Sequence, residues 1–154
     1  MMQIRWAREE DAPALAQVFF DAVRQGDSPY SQAQRVAWMP APPDPSEFAV
    51  RLRKCHVAVA TVAGQPVGFM AMTHEGYFDL AFVLFRHRGR GCFRRLYDRL
   101  EKCAYEDYVP RLTVHASLDA RPAFQSVGFS VITHETVDRA GETLRRAEME
   151  KYLK

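Results

Sequence analysis

The segment from Tyr77 to Tyr105 constrains the fold of this chain more than any other. It contains a short apolar run, Leu80 to Phe85, of the length expected for a buried strand. A turn that carries Gly89 and Gly91 follows this run. Apolar residues then recur at helical spacing, at Phe93, Leu96, Leu100 and Ala104. The segment therefore predicts a strand, a glycine turn and an amphipathic helix in direct succession.

This succession is typical of a phosphate-binding corner. Backbone N–H groups of the turn and the N-terminus of the helix converge on one spot, which favours an anion. Glycines in the turn leave room for a ligand to approach the backbone. A solvated helix start is the common alternative for such a charged run, and a nucleic-acid patch is disfavoured because aromatic residues are not interleaved with the charges. The positive charges of the corner come from Arg86, Arg88, Arg90, Arg94 and Arg95.

Two common glycine motifs do not fit this turn. A P-loop needs a Gly-Lys-Ser/Thr ending, which does not follow Gly91, and a dinucleotide fingerprint needs a glycine where Arg94 stands. The run from Arg88 to Phe93 instead resembles the Arg/Gln-x-x-Gly-x-Gly/Ala signature of the GNAT N-acetyltransferase superfamily. Phe93 stands where that family prefers Gly or Ala. A match that starts at Arg86 fits every letter but would begin the helix two residues late relative to the strand.

A second resemblance lies downstream. Residues 112–117 read as a strand, and residues 118–129 as a short helix closed by Gly-Phe. This segment resembles the family's Asn-x-x-Ala-x-x-Phe-Tyr-x-x-x-Gly-Phe segment, with Ser117 at the Asn position and Phe124 at the Tyr position. The Ala-Ser-x-x-Ala-Arg-Pro motif is similar to that of the YafP-like branch. The same branch carries a Tyr-Ser-x-x-Gln segment followed by Ala-Trp, as residues 30–34 and 37–38 do here. The resemblance covers nearly the whole chain.

The resemblance implies a single domain over residues 1–154, and that length suffices for a sizeable core. The implied fold is mixed α/β (α+β): a central, mostly antiparallel, twisted sheet of about seven strands, with a parallel, splayed pair at its centre and about four flanking helices. The proline-rich stretch 40–45 predicts irregular structure, with Ser46 as the N-cap of the next helix. Residues 142–153 have a helix-friendly composition, but the resemblance implies a final strand, which we predict.

By the same resemblance, the chain is an acetyl-CoA-dependent N-acetyltransferase that moves the acetyl group directly to a primary amine of a small molecule or peptide. The family holds the pyrophosphate with the backbone of the turn, and the pantetheine arm with the backbone of the preceding strand end, here Phe82 and Val83. A non-catalytic acyl-CoA-binding sensor or interaction module is the alternative, because Phe93 and Phe124 both depart from the motifs. The residues expected to contact acetyl-CoA are Phe82, Val83, Arg88, Gly89, Arg90, Gly91, Cys92, Phe93, Arg94, Ser117, Arg121 and Phe124.

Proton transfer is the chemistry for which the sequence offers several candidates. An amine with a pKa of roughly 10.4 is protonated near neutrality, so transfer benefits from a base. Asp79 interrupts the apolar strand and is the first candidate for that base, against the alternative of a surface acid; Glu75 and His115 are the others. Phe124 has no proton to give the departing thiolate, so Ser117 and Tyr97 are candidate acids, or the thiolate leaves unassisted.

Three aromatic residues, Tyr30, Trp38 and Tyr77, are expected to line the pocket for the acceptor amine, although aromatic residues at such spacing are more often part of a core. The cysteines at 55, 92 and 103 show no metal-binding spacing, and no metal is predicted. A net charge of +2 is too small to imply a polyanionic partner, and no apolar run is long enough to span a bilayer. We expect a cytoplasmic protein that binds neither nucleic acid nor membranes, with a homodimer left open.

Overall fold

Seven strands form one sheet in the computed structural model of the chain, which describes residues 1–154. The strand order is β1-β2-β3-β4-β5-β7-β6. Every neighbouring pair is antiparallel except β4 and β5, which run parallel at the centre. The predicted fold class is therefore confirmed. The strands are β1 (Met2–Trp6), β2 (Cys55–Val62), β3 (Gln65–Thr73), β4 (Tyr77–Val83), β5 (Arg111–Ser117), β6 (Ser130–Arg139) and β7 (Glu142–Tyr152).

Five α-helices cover the two faces of the sheet, one more than the number expected. They are α1 (Ala12–Arg24), α2 (Gln32–Trp38), α3 (Pro45–Arg53), α4 (Cys92–Glu106) and α5 (Arg121–Ser126), with short 3₁₀ turns at Glu9–Asp11 and Phe85–His87. α1 and α3 pack on one face, where Phe48 meets Phe69 of β3. α4 and α5 pack on the other, where Phe78 of β4 meets Tyr97 and Phe124. None of the helices combines the length and the apolar character needed to cross a bilayer.

The predicted amphipathic helix is α4, and its apolar face forms part of the core. Leu96, Leu100 and Ala104 are fully buried, whereas Phe93 is only partly buried. The helix begins directly after Gly91, as the strand–turn–helix pattern predicts. Because β4 ends at Val83 and α4 starts at Cys92, the glycine turn lies beyond the C-terminal end of β4, beside the parallel pair.

The structure corrects the start of α3. Asp44, not Ser46, is the N-cap residue, and its carboxylate accepts a hydrogen bond from the Glu47 N–H at 3.0 Å. Pro45 is the first helical residue, so the irregular proline stretch ends one residue earlier than predicted. Proline is well suited to that first position, because its fixed φ matches a helix and its missing N–H would have had no partner there.

The C-terminal segment is a strand, as predicted. β7 pairs with β5 on one side and with β6 on the other over most of its length. Its backbone groups are therefore satisfied on both edges, which outweighs the helix preference of its composition.

Candidate active site

The parallel strands β4 and β5 separate at the centre of the sheet. They pair only at Tyr77 with Thr113 and Phe78 with Val114. Beyond these pairs the facing edges of the two strands form no ladder, which leaves backbone groups there open to a ligand, apart from the carbonyls of Val83 and Ser117, which accept from Arg88 and from the Ala120 N–H. The predicted splayed pair is therefore present, and two cavities meet at the opening.

The first, which we call the loop cavity, has a volume of about 310 Å³ and lies between the glycine turn, the end of β4 and the start of α5. The second, the strand cavity, has a volume of about 190 Å³ and extends across β4, β5, β7 and β6. The walls of both cavities include Trp38, Ala81, Phe82, Ser117 and Ala120. A ligand in one cavity can therefore reach a ligand in the other at the point where the strands part.

Most of the residues predicted to contact the cofactor line the loop cavity: Phe82, Val83, Arg88, Gly89, Gly91, Cys92, Phe93, Arg94 and Ser117. Three do not. Arg90 is exposed outside the cavity, and Arg121 at the start of α5 lines neither cavity. Phe124 is 1% exposed and lines the strand cavity instead. Its ring packs edge-on against Phe93, with ring centroids 5.0 Å apart, so Phe93 rather than Phe124 borders the loop cavity.

Backbone geometry explains the glycines of the turn. Gly89 and Gly91 have φ values of 75° and 78°, in the left-handed region that other residues avoid. A Cβ atom at either position would meet nothing within 4 Å, so open space lies beside both. The helix start leaves the N–H groups of Cys92, Phe93 and Arg94 without intrahelical partners. These N–H groups and the helix dipole have the geometry for which the sequence predicted an anion site.

Arg88 has a different role from the one its charge predicts. Its Nε donates to the Val83 carbonyl at 3.2 Å, and its Nη2 donates to the Ala22 carbonyl at 3.1 Å. Its Nη1 lies 3.8 Å from the Asp119 carboxylate. The guanidinium therefore ties the end of α1 to the end of β4, and part of its charge is already balanced.

Asp79, the candidate base, forms an ion pair in the strand cavity. Its two carboxylate oxygens accept hydrogen bonds from Nε and Nη2 of Arg51 at 2.8 and 3.0 Å. This hydrogen bonding raises the pKa of the Arg51 guanidinium. Asp79 therefore lies in the predicted cavity, but as the partner of a helix α3 arginine that the sequence did not indicate.

His115 belongs to a second ion-pair network of the same cavity. Its Nδ1 lies 2.5 Å from Oε1 of Glu135, and the same oxygen accepts from Nε of Arg146 at 2.7 Å. The hydrogen bond with His115 is the main reason that the pKa of Glu135 lies below its usual value. Because a carboxylate only accepts, Nδ1 carries the ring proton, and Nε2, which has no hydrogen-bond partner within the protein, is left as an acceptor. Tyr77 lies edge-on to the His115 ring, with centroids 5.8 Å apart.

The three predicted acceptor aromatics line the strand cavity, as does Ser117. Tyr30 is 5% exposed, and its hydroxyl donates to the Arg145 carbonyl and accepts from the Leu118 N–H. It therefore joins β7 to the β5–α5 loop, and its hydroxyl hydrogen is already donated within the protein. The Ser117 hydroxyl accepts from the Ala120 N–H at 3.2 Å and keeps its own hydrogen free to donate.

Two of the alternative candidates are not in the site. Tyr97 lines neither cavity, and its buried hydroxyl bonds to Glu101 and Lys151, so the structure removes it as an acid for the leaving thiolate. Glu75 lies in the exposed turn before β4 and also lines neither cavity. No cluster of three or more His, Cys, Asp or Glu side chains is arranged to hold a metal ion.

The sequence did not indicate four charged residues here: Arg51, Arg139 and Arg146, which line the strand cavity, and Glu135, which lies just outside its wall and pairs with His115. A signal for two of them was present, because alternate residues of β6 share one face of the sheet. Glu135 and Arg139 lie at such positions, with Val137 between them. The register of β6 against β7, which brings Arg146 opposite Glu135, comes only from the folded sheet.

Comparison with known proteins agrees with this geometry. The family model for the acetyltransferase (GNAT) domain matches residues 29–153. The chain is 36% identical over 141 residues to the uncharacterized N-acetyltransferase YafP of Escherichia coli (strain K12), which covers 91% of this chain and 89% of YafP.

Solved structures give the same result. A GCN5-related N-acetyltransferase from Rhodopseudomonas palustris superposes with a TM-score of 0.90 at 34% identity, covering 98% of this chain and 95% of that one. The putative acetyltransferase yncA from Salmonella typhimurium, solved with its cofactor acetyl-CoA, shares the fold with a TM-score of 0.75 at 18% identity, over 100% and 95% of the two chains. The resemblance seen in the sequence is confirmed: the chain belongs to the GNAT N-acetyltransferase family.

Proposed function

We propose that this protein transfers an acetyl group from acetyl-CoA directly to a primary amine of a small molecule or peptide. Enzymes of the GNAT family use acetyl-CoA as the donor. The observation that carries the proposal is the meeting of the two cavities at the splayed strands, with Phe82 and Ser117 in the wall of each. A donor in the loop cavity and an acceptor in the strand cavity would react at this junction.

The backbone groups that line the loop cavity are suited to bind the pyrophosphate and the pantetheine arm of acetyl-CoA. The N–H groups of Gly89, Gly91 and the first turn of α4 suit a pyrophosphate, because they are free donors at the positive end of a helix dipole. The edge of β4 at Phe82 and Val83 has no partner strand on the side of β5, so its backbone groups other than the Val83 carbonyl, which accepts from Arg88, could bind an extended pantetheine arm. Arg94, exposed at the rim, adds positive charge.

In the reaction, the acceptor nitrogen bonds to the acetyl carbonyl carbon and the carbon–sulfur bond breaks. Charge develops on the carbonyl oxygen, and a backbone N–H at the splayed edge of β4 would stabilise it. Such a donor is worth on the order of 3 kcal/mol of the barrier. The amine loses one proton to a base, and the CoA thiolate gains one, so that the products are an N-acetylated amine and free CoA.

We assign the base to His115 and keep Asp79 as the alternative. Glu135 holds the proton of His115 on Nδ1, which leaves Nε2 to accept a proton inside the cavity. Both oxygens of Asp79 are instead engaged by Arg51. A proton on Asp79 would weaken that ion pair, whereas a proton on His115 would face a carboxylate that stabilises it.

Ser117 is the group we assign to the leaving thiolate. It lines both cavities, and the hydroxyl that accepts from Ala120 still has a hydrogen to donate. As a weak acid it would stabilise the thiolate by a hydrogen bond, and water would supply the proton. Phe124, with no donor, supports the cavity wall by packing.

The burial and raised pKa values of two cysteine thiols favour direct transfer over a covalent acetyl-cysteine intermediate. Cys92 lines the loop cavity but is 1% exposed, and burial raises the pKa of its thiol to about 11. Burial also raises the pKa of Cys55 to about 11. Because the thiolate is the nucleophilic form, neither cysteine is suited to carry the acetyl group near neutral pH.

An assay for free CoA, run with acetyl-CoA and a panel of primary amines, tests the proposal. We expect CoA release that depends on one class of amine and matches the N-acetyl product mole for mole. The alternative, a non-catalytic acyl-CoA-binding module, predicts that acetyl-CoA stabilises the protein against heat while no amine releases CoA.

A further inference from the structure

We propose that the acceptor amine also carries an anionic group, a carboxylate or a phosphate, and that Arg139 recognises it. This inference deepens the proposed function and rests on it. It starts from an imbalance of charge in the strand cavity.

The cavity wall holds more positive than negative side chains. Three arginines line it, Arg51, Arg139 and Arg146, against the single carboxylate of Asp79. Asp79 pairs with Arg51, and Glu135, just outside the wall, pairs with Arg146. Arg139 is the lining arginine that remains without a carboxylate partner.

The contacts of Arg139 leave its charge open. Its one hydrogen bond within the protein goes from Nη1 to the carbonyl of Asp138 at 3.2 Å. Glu142 lies opposite it in the β6–β7 register, but the two form no ion pair within 4.0 Å. The carboxylate of Asp138 accepts instead from the Thr143 hydroxyl. A guanidinium placed in this way offers several donors to a carboxylate or phosphate.

Arg146 extends the same positive surface toward the reaction site. It lies directly opposite Ser117 in the β5–β7 register. Its Nε is used by Glu135, while its Nη nitrogens make no hydrogen bond within the protein. The cavity therefore presents free guanidinium donors along a line from the junction at Ser117 to Arg139 at the end of β6.

This arrangement favours one class of amine over another. An acceptor with a second positive charge, such as a diamine or polyamine, would place that charge beside unpaired arginine. An amine with a carboxylate or phosphate would meet complementary charge, which attracts the right ligand and repels the wrong one. We therefore expect acceptors resembling amino acids or phosphorylated amines, and not polyamines.

Matched pairs of amines test the inference: phenethylamine against phenylalanine, butylamine against 4-aminobutyrate, cadaverine against lysine, and ethanolamine against phosphoethanolamine. For the wild-type protein we expect kcat/KM to favour the anionic member by about tenfold or more in at least one pair. The first three pairs differ by a carboxylate and the fourth by a phosphate, so the assay shows which of the two anionic groups is recognised.

Three variants supply the matched comparison. Arg139→Gln should lower the preference to within about threefold, chiefly by raising KM for the anionic amine, with acetyl-CoA affinity unchanged. Arg139→Lys should restore part of it. Arg145→Gln removes the same charge from the neighbouring strand; Arg145 is exposed, as Arg139 is, but it lines neither cavity. We expect it to leave the preference intact.

Three results would overturn the inference. The first is turnover that is equal within each pair or favours the neutral amines and diamines. The second is an equal effect of Arg139→Gln and Arg145→Gln, which would reduce Arg139 to general surface charge. Because acetylated amine is formed in both of these cases, neither result would count against the proposed acetyltransferase activity. The third is an absence of turnover with every amine, which would reject the proposed function itself and this inference with it.

Discussion

Phe78 and Phe82 lie four residues apart on β4, and their rings pack on opposite faces of the sheet. Phe78 stacks on Tyr97 of α4, with ring centroids 5.7 Å apart, whereas Phe82 packs on Phe19 of α1 at 4.3 Å. A regular strand would direct both side chains to one face. The alternation is reversed because Leu80 pairs with Ala71 and Phe78 with Met72, which leaves Asp79 as the extra residue of a β-bulge.

The bulge explains why β4 has its polar residue at this point. It aims Asp79 at Arg51 of α3 and lies just where β4 parts from β5. Bulges are frequent beside active sites, because they redirect a side chain and end strand pairing. Asp79 is thus tied to the shape of the site, which is a reason for its position that does not require it to act as a base.

The first prediction concerns the glycine turn. Gly91→Asp should remove most of the thermal stabilisation by acetyl-CoA, since it places a negative charge beside the expected pyrophosphate. For the parent protein, ligand at 100 times its Kd contributes about 2.7 kcal/mol. Gly91→Asn is the control, because asparagine has nearly the same shape, tolerates a left-handed backbone and carries no charge. Equal stabilisation of the two variants by acetyl-CoA would argue against an anion at this turn.

The second prediction separates the two candidate bases. His115→Gln should lower kcat by about 100-fold or more and flatten the rise of activity with pH, without weakening acetyl-CoA binding. Asp79→Asn should cost less activity and more stability, because Arg51 loses its partner. Steady-state kinetics across pH, together with thermal unfolding, measures both effects. The reverse order of the two activity losses would make Asp79 the base.

The third prediction concerns Phe124. Its ring packs edge-on against Phe78, Phe93 and Phe129, so Phe124→Ala should cost about 3–5 kcal/mol of unfolding free energy. Phe124→Leu roughly keeps the volume and should cost less than about 1.5 kcal/mol, with turnover within about tenfold of the parent. Denaturant unfolding and the CoA assay measure these values. A loss of turnover far beyond tenfold in a folded Phe124→Leu protein would show that the ring itself takes part in the reaction.

The fourth prediction is a pH dependence of stability. Hydrogen bonds from Arg5, and further from the Arg8 N–H, lower the pKa of the Asp11 carboxyl. Because the folded pKa lies below the unfolded value of roughly 3.9, this stabilisation is complete above that pH and is lost as pH falls through the folded pKa.

Asp11→Asn should therefore destabilise the protein by about 1–3 kcal/mol near pH 7, and the difference from the parent should shrink as the pH falls below about 4. Asp98→Asn removes a carboxylate that is 58% exposed and serves as the control, with an expected change of less than about 1 kcal/mol. A gap between Asp11→Asn and the parent that stays constant down to pH 2 would contradict the assignment.

Local signals account for what the sequence predicted well. The strand, the glycine turn and α4 follow from apolar spacing and from two residues whose φ values need glycine. β7 needed the family resemblance, because its composition favours a helix and only pairing with two strands makes it extended.

Long-range geometry accounts for the rest. Nothing local to Arg88 shows that carbonyls of α1 and β4 will take up its guanidinium. The pairing of His115 with Glu135 joins residues 20 positions apart through the order of β5, β7 and β6. The bulge at Asp79 appears only in the register of β4 against β3.

The central claim is acetyl transfer from the loop cavity to an amine in the strand cavity without an enzyme-bound intermediate. The most direct test incubates the protein with acetyl-CoA labelled in the acetyl group, first alone and then with an accepted amine. We predict no label on the isolated protein in the first step, and one labelled N-acetyl product for each CoA released in the second. Label that stays covalently on the protein would contradict direct transfer, and tight binding of acetyl-CoA with no acetylated amine would contradict catalysis.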